Sequence, residues 1–454
     1  MTLDLHWGAA TLAAQVLGDL PHTPVSAFGF DSRDLPPGAL FFALRGAAGD
    51  GHRFVSAAFE RGAVAAVVDH PVDSPGPLLV VPDTLQALQS LASSARDRFH
   101  GRVIAITGSA GKTTTKEAVA AVIGTALRTG KTSGNFNNHI GVPYSILHLP
   151  DDAQAAVLEI GMNHAGEIRE LSKIARPGIA VVTNVGTAHI ENFDSIDGIA
   201  LAKRELVEAL PPDGIAVLNA DDERVRQFAS IHPGRSILYG LSDHAEVRAA
   251  DVHYTETGSR FTLAGAGPVD CPMPGKAGVL TALAAFAAAR ALDLDVRPLL
   301  PSLTRLEPLQ MRAQRLLHQG MTVWNDCYNS NPEAARMMVE LLAATPAVRR
   351  IAVLGEMLEL GHWSKELHEA VGIHVVSCGI SVLVGIRGAA RNLVDAARNA
   401  GLAADAAYFF EDPSEAGAFL RTFAREGDAL LFKGSRGTRV ELALNAFLSS
   451  DEDI

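Results

Sequence analysis

The residues with the clearest chemical potential follow an apolar, β-branched run at 103–106. They read TGSAGKTTT over 107–115, a glycine-rich turn that leads into an apolar segment at 118–123. A strand, such a turn and a helix opened by Lys-Thr form a phosphate site, because backbone N–H groups and the helix N-terminus both attract an anion. We therefore predict that ATP binds here, with Lys112 at the β- and γ-phosphates and the Thr113 hydroxyl on Mg²⁺. The predicted ATP-binding residues of the turn are Gly108, Ser109, Ala110, Gly111, Lys112, Thr113 and Thr114.

The spacing of this loop departs from the common rule G-x-x-x-x-G-K-[ST]. That rule would place its first glycine at Ile106, whereas the chain carries the shorter G-x-x-G-K-T-T over 108–114. An ordinary glycine-rich turn between a strand and a helix is the alternative interpretation.

Three further apolar runs end in polar residues. Because the carboxyl ends of parallel strands line one crevice, these polar residues should converge with the phosphate loop. Beside bound ATP, Glu159 and His189 are then the predicted metal ligands, the alternatives being a charge at the rim and a surface histidine. The run Asn135-Phe136-Asn137-Asn138 offers a further oxygen ligand, but the residue types do not say which asparagine supplies it. The three runs and the residues that follow them are 155–158 before Glu159, 180–182 before Thr183-Asn184, and 215–218 before 219–222.

Lys203 lies in a segment, IALAKREL over 199–206, that is typical of a helix. From residue types alone, a lysine in such a pattern is a solvated surface residue.

Three α/β units, over 1–100, 101–312 and 313–454, hold these residues in place. The segment 306–312 resembles a hinge that ends in Arg312. In the first unit, Asp31-Ser32-Arg33 and the loop 46–52 are candidate binding segments, with solvated turns as the alternative. The third unit is predicted to be a doubly wound sheet. The predicted strands of the outer units are 39–44, 63–68, 78–81, 351–354, 381–384 and 429–432, and the predicted helices are 52–61, 84–99, 333–344, 366–376, 387–400 and 414–425.

Composition excludes several classes of protein. The net charge of −12 argues against a nucleic-acid or anionic-membrane surface. The long uncharged apolar stretch 277–289 falls short of the roughly 18 residues that a membrane span needs, so no membrane insertion is expected. Three widely spaced cysteines give neither a disulfide framework nor a zinc pattern. The first residues carry no secretory signal, so a cytoplasmic protein is expected.

Several segments together resemble the Mur ligases of peptidoglycan synthesis, and this resemblance covers the whole chain. It implies an α/β, three-domain Mur ligase architecture: an N-terminal domain for the UDP-muramoyl-peptide, a central P-loop-type ATPase domain, and a C-terminal Rossmann-like domain that closes over both. The segments shared with the family are 107–115, 134–138, 141–143, 159–168, 183–189 and 219–222, and those that resemble its D-alanyl-D-alanine-adding member are 31–33, 325–332, 353–361 and 433–436.

The resemblance also implies the reaction. ATP would phosphorylate the terminal carboxylate of UDP-N-acetylmuramoyl-tripeptide, and the amine of D-alanyl-D-alanine would attack the acyl phosphate to give the UDP-muramoyl-pentapeptide. A second Mg²⁺ would be supported by a carbamylated Lys203, and Arg312 and Asp326 would contact the nucleotide. The implied catalytic residues are Lys112, His189, Lys203 and Arg312; the metal residues are Thr113, Glu159, His189 and Lys203; the substrate-binding residues are Asp31, Ser32, Arg33, Gly46, Asn138, Lys433 and Arg436.

One segment departs from the family pattern. Relatives carry His-Asn-x-x-Asn after a Pro-Gly turn, where asparagine contacts adenine, but residues 274–281 read PGKAGVLT and lack both asparagines. Two other functions stay open, namely another amide ligase of the superfamily and a catalytically silent nucleotide-binding protein. The first includes the Mur ligase that adds the third residue and folylpolyglutamate synthetase, and the segments 325–332 and 353–361 argue against both. A monomer is expected.

Overall fold

A computed structural model of the chain describes residues 1–46, 49–255, 257–306 and 309–449. In this part of the chain, three large sheets follow one another along the sequence, and each falls within one of the three predicted units. The exact unit boundaries stay predictions. Of the predicted hinge, Glu307 and Pro308 lie outside the described residues.

The first sheet has the strand order β1-β7-β6-β3-β2. Its β3 and β6 are buried at every residue, as expected of parallel strands that are covered on both faces. A small hairpin, β4-β5, stands apart from this sheet. The elements are α1 (Leu5–Thr11), β1 (Gln15–Leu17), β2 (Ala27–Gly29), β3 (Ala39–Phe42), β4 (Arg45–Gly46), β5 (Gly49–Asp50), α2 (Val55–Glu60), β6 (Ala65–Val68), β7 (Leu78–Val80) and α3 (Thr84–Asp97), with 3₁₀ turns at Ser32–Asp34 and Gly51–Phe54.

The central sheet has the order β16-β15-β14-β13-β12-β11-β8-β10-β9 and is parallel from β9 to β14. The antiparallel extension β14 to β16 was not predicted from the sequence. Its elements are β8 (Arg102–Thr107), α4 (Lys112–Ile123), β9 (Thr129–Lys131), α5 (Gly141–Leu147), β10 (Ala155–Glu159), α6 (Glu167–Ala175), β11 (Ile179–Val182), α7 (Ile196–Glu208), β12 (Ile215–Asn219), α8 (Glu223–Gln227), β13 (Arg235–Gly240), β14 (Val247–Thr255), β15 (Gly258–Leu263), β16 (Gly267–Cys271) and α9 (Gly275–Ala291), with 3₁₀ turns at Ile190–Asn192, Phe228–Ser230 and Arg297–Arg305.

The third sheet has the order β17-β18-β22-β19-β20-β21, with only the β17-β18 pair antiparallel. The predicted helix over 387–400 begins later, at Ala390, because Arg387 and Gly388 have positive φ values of 65° and 49°. The elements are β17 (Gln314–His318), β18 (Met321–Asp326), α10 (Pro332–Ala344), β19 (Arg350–Gly355), α11 (Ser364–Ser377), β20 (Val382–Ile386), α12 (Ala390–Asn399), β21 (Ala407–Phe410), α13 (Pro413–Phe423), β22 (Ala429–Lys433) and α14 (Glu441–Leu448), with 3₁₀ turns at Gly361–Trp363, Ala404–Ala406 and Arg436–Thr438.

The order of the central strands places the predicted site. Strand β8 lies between β10 and β11, so the loop after β8 lies beside Glu159, the last residue of β10, and beside the residues that follow β11. This is the switch point at which open α/β sheets bind ligands. Among the helices of the described residues, none is both long and apolar enough to cross a bilayer.

Candidate active site

A cavity of ≈ 600 Å³ lies between the carboxyl end of the central sheet and the third unit. It brings together predicted site residues, some of which lie more than three hundred positions apart in the sequence. Those that line it are Ser109, Ala110, Gly111, Lys112, Thr113, Thr114, Glu159, His189, Arg312, Asp326 and Lys433. We call the part around 109–114 the phosphate end.

The phosphate loop needs glycine at both of its turning points. Gly108 and Gly111 have φ values of 151° and 80°, and a Cβ on Gly108 would lie 1.9 Å from Thr183 Oγ1. The loop is held from the end of β11, since Asn184 Oδ1 accepts from Ala110 N at 2.8 Å and Thr183 Oγ1 donates to Ala110 O at 2.7 Å. Thr183 and Asn184 therefore brace the loop that they were predicted to approach.

Lys112 opens α4 and its ammonium donates to Gly108 O at 2.7 Å. Burial lowers the pKa of Lys112, Glu159 opposes that shift, and the nearby Arg312 adds to it. The Lys112 ammonium could therefore bind an anion in the loop, because few other groups compete for its hydrogen bonds. The position is the one that the sequence predicted for a phosphate contact.

Glu159 has an unsatisfied oxygen. Its side chain is almost fully buried. Oε1 accepts from Asn137 Nδ2 at 2.8 Å, while Oε2 has no hydrogen-bond partner among the residues that the structure describes. The nearest cation to Oε2 in the described chain is Lys116, with Nζ 4.0 Å away. A buried carboxylate oxygen without a partner, in a cavity shared with the Thr113 hydroxyl and His189, fits a hard divalent cation such as Mg²⁺.

The structure distinguishes the asparagines of the run 135–138. Asn137 lines the cavity and holds Glu159, whereas Asn138 Oδ1 accepts from Ile140 N at 3.1 Å and Gly141 N at 2.9 Å at the start of α5. Asn137 was not among the predicted site residues. The substrate-binding role of Asn138 stays a prediction.

Lys203 is only 1% exposed, so the alternative of a solvated lysine is wrong. Burial, followed by the charge of Lys112, lowers the pKa of Lys203 well below its usual value. Among the described residues no acceptor or carboxylate pairs with its ammonium. The sequence did carry a signal, because Lys203 is four residues after Ile199 and three before Leu206, which are both buried.

The third unit contributes an ion pair and a tyrosine ring on which Arg312 stacks. Lys433, at the end of β22, lies with Nζ 2.5 Å from Asp326 Oδ2 and donates to Asn329 O at 2.8 Å. The Arg312 guanidinium lies 4.1 Å from the centre of the Tyr328 ring. Asp326 and Lys433 largely neutralise each other, which leaves Arg312 as a cation directed to incoming phosphate.

The opposite end of the cavity is mainly apolar. Gly278 and Thr281 occupy the places of the two missing asparagines, and a Cβ on Gly278 would lie 2.4 Å from Met273 O. No side chain fits at position 278 without moving that backbone. We call this part the base end; its lining includes Met273, Gly278, Thr281, Met337 and Leu341.

The remaining predicted substrate residues do not line this cavity. Asp31 accepts hydrogen bonds from Arg33 Nε and Nη2 at 2.9 and 2.6 Å, and these bonds lower the pKa of Asp31 to about 2. Ser32, which lies between Asp31 and Arg33 in the sequence, is buried. Gly46 lies in the β4-β5 hairpin, whose Ala47 and Ala48 lie outside the described residues. Arg436 Nη1 lies 3.4 Å from Glu441 Oε1. Their roles stay predictions.

Comparison with known proteins gives matches along nearly the whole chain. The Mur ligase middle domain model matches residues 106–289, the glutamate ligase domain model of Mur ligases matches 311–436, and the Mur ligase family catalytic domain model matches 24–96.

The individual relatives agree with the family models. The UDP-N-acetylmuramoyl-tripeptide--D-alanyl-D-alanine ligase of Synechocystis sp. is 39% identical over 93% of this chain and 91% of its own. A crystal structure of MurF from Acinetobacter baumannii is 29% identical with a TM-score of 0.90 and covers 99% of both chains. MurF from Thermotoga maritima in complex with ADP is 28% identical with a TM-score of 0.82, over 93% of this chain and 96% of that one.

Proposed function

The chain belongs to the Mur ligase family, and we propose that it is the ATP-dependent ligase that joins D-alanyl-D-alanine to UDP-N-acetylmuramoyl-tripeptide in peptidoglycan synthesis. One observation carries the proposal. The phosphate loop, Glu159 and Arg312 line one cavity, and the buried Lys203 lies close enough to Lys112 to feel its charge; within the described part of the chain, neither Glu159 Oε2 nor the Lys203 ammonium has a hydrogen-bond partner. A nucleotide-binding protein without catalysis has no need of a buried carboxylate oxygen and a buried lysine that have no hydrogen-bond partner among the described residues.

The first half-reaction transfers a phosphoryl group. An oxygen of the tripeptide carboxylate attacks the γ-phosphorus of ATP, the bond to the bridging oxygen breaks, and ADP leaves. The reaction brings two anions together, so catalysis is mostly positioning and neutralisation of charge. Lys112, in the phosphate loop, and Arg312, at the end of the predicted hinge, are the residues that supply this positive charge.

The second half-reaction forms the amide. The amine nitrogen of D-alanyl-D-alanine attacks the acyl carbon, the tetrahedral intermediate loses phosphate, and the nitrogen gives up a proton. The closed cavity keeps water from hydrolysing the acyl phosphate.

Mg²⁺ would be held by Thr113 near the phosphates and by Glu159 and His189 near the acceptor carboxylate, where it would neutralise charge on both substrates. Lys203 would support the second site as a carbamate. A carbamate forms from a neutral amine and CO₂, and burial beside Lys112 favours the neutral amine. The product is an anion that would also offset the charge of Lys112.

The other assignments complete the proposal. The N-terminal unit over 1–100 binds the UDP end of the muramoyl peptide through Asp31, Ser32, Arg33 and Gly46. The central unit over 101–312 binds ATP, and the third unit over 313–454 contributes Asp326, Lys433 and Arg436. The protein works in the cytoplasm as a monomer.

ADP release tests this function and separates the alternatives. We expect release in the presence of UDP-N-acetylmuramoyl-tripeptide to require D-alanyl-D-alanine and to yield one pentapeptide per ADP. A related amide ligase would respond to a different amine, such as a diamino acid with the dipeptide substrate. A silent nucleotide-binding protein would release no ADP under any of these conditions, and either result would refute the proposal.

A further inference from the structure

The segment 353–361, which the sequence analysis singled out, reaches from the third unit into the central one. It leaves β19 and brings Glu359 against the loop that follows β11. Glu359 Oε2 lies 2.6 Å from His189 Nδ1, and Glu359 O accepts from Glu191 N at 3.3 Å. The Glu359 carboxylate does not lie along the ideal direction of the His189 Nδ1–H bond. Contacts in active sites often have such a geometry until the substrate binds.

Both partners of this contact have an uncommon backbone conformation. Glu359 has a φ of 63° and His189 a φ of 62°, in the left-handed region that residues other than glycine rarely adopt. Such conformations persist only where the surroundings hold them, and they concentrate at functional sites. At Gly361 the fit is also close, because a Cβ there would lie 2.9 Å from Glu191 Cβ.

We propose that Glu359 is a positioning residue for His189, and that it couples closure of the third unit to completion of the metal site. This inference rests on the proposed function, in which His189 is a metal ligand. With Nδ1 engaged by a carboxylate, the ring is fixed in one orientation and Nε2 is the nitrogen left for a metal. Because the two residues belong to different units, the contact requires the third unit to pack against the central one as it does here.

A second contact between the two units provides the control. Glu333, in the first turn of α10, lies with both carboxylate oxygens 3.1 Å from Thr187 Oγ1, two residues before His189. Glu333 therefore joins the same two units without touching a predicted metal ligand. If Glu359 only held the two units together, loss of the Glu359 carboxylate and loss of the Glu333 carboxylate would have the same effect.

The test compares Glu359→Gln, Glu359→Met and Glu333→Met with the unmodified protein. Gln keeps an oxygen acceptor for Nδ1, and Met has similar size without one. Mn²⁺ binding is titrated by electron paramagnetic resonance in the presence of ADP, without turnover, and melting temperature reports folding. We expect Glu359→Met to weaken Mn²⁺ binding about 10- to 100-fold, as loss of a group behind a metal ligand does. Glu359→Gln and Glu333→Met should stay within about threefold.

The steady-state rates add a second readout. In Glu359→Met, the Mg²⁺ concentration for half-maximal rate should rise in parallel with the Mn²⁺ dissociation constant, and kcat at saturating Mg²⁺ should fall less. Unchanged Mn²⁺ binding in Glu359→Met, or equal losses in Glu359→Met and Glu333→Met, would overturn the inference. Either result leaves the proposed function intact so long as ADP release still depends on D-alanyl-D-alanine.

Discussion

At the phosphate end of the cavity, specific hydrogen bonds hold the backbone of the loop in place. At the base end, the lining is made of flexible apolar side chains. Both backbone polar groups of Ala110 are held: its N–H donates to Asn184, and its carbonyl accepts from Thr183. At the base end, Met273 and Met337 line the cavity beside Gly278 and Thr281. Methionine adapts its shape to whatever it contacts and contributes little directional preference. From this comparison we predict that the chain holds the reacting phosphates tightly and the base loosely.

Loss of Lys112 should break the phosphate end. Lys112→Ala removes the cation that we propose for the transferring phosphoryl group, and removal of one such contact typically lowers the rate by roughly 10² to 10³. The measurement is kcat for ADP release, with the melting temperature as a check on folding. The exposed Lys173 on α6 offers a matched control, since Lys173→Ala should leave both values unchanged. Near-normal turnover in a folded Lys112→Ala enzyme would remove the phosphate-loop assignment.

Lys203 tests whether the same end contains a carbamate. Lys203→Ala should lower activity by about 10- to 100-fold through the second metal, and Lys203→Arg should fail as well because it keeps a positive charge. Acetate or formate should partly restore Lys203→Ala, and rigorous removal of CO₂ should lower the activity of the unmodified enzyme. A fully active Lys203→Ala enzyme would reject the carbamate.

Nucleotide selectivity tests the base end. One lost hydrogen bond to a base is worth on the order of 1 to 2 kcal/mol, so GTP or CTP should support kcat/KM within about tenfold of ATP. The check is a comparison of the three nucleotides at equal Mg²⁺. Strict selectivity for ATP would show that other groups of this cavity recognise the base.

The smallest effect is expected at Thr281. Thr281→Asn restores one of the two missing amides at the base end and should raise the preference for ATP over GTP by about two- to tenfold. The other position should not accept the change, since a side chain at Gly278 would collide with Met273 O. Gly278→Asn should therefore lower the melting temperature without improving selectivity. If the two variants behaved alike, the assignment of these positions would be wrong.

Much of the phosphate end could be predicted from the sequence because its physical cause is local. The strand, the two glycines and the Lys-Thr pair of 103–113 are consecutive, and each is required by the turn itself. The apolar runs before Glu159 and before Thr183 likewise predicted parallel strands, and the structure confirms them as β10 and β11, although their order around β8 was not predicted. Family membership was equally accessible, since it rests on short contiguous motifs.

Other features depended on which segments meet in space. Lys203 has the spacing of a buried residue, but only the structure shows that no acceptor in the described part of the chain pairs with its ammonium. Asn137 and Asn138 are adjacent and chemically identical, and the helix that starts at Gly141 engages one while Glu159 engages the other. Glu359 and His189 are brought together by the packing of two units.

The division therefore follows the range of the forces involved. Backbone geometry and hydrophobic periodicity act over a few neighbouring residues and are written in the sequence, so the phosphate loop and the strands that flank it were determined by the sequence itself. Other features depend on the whole packed chain. They are the burial of Lys203 without an acceptor among the described residues, the different partners of Asn137 and Asn138, and the contact of Glu359 with His189. Only the tertiary structure decided those, because each arises between residues that the sequence holds apart.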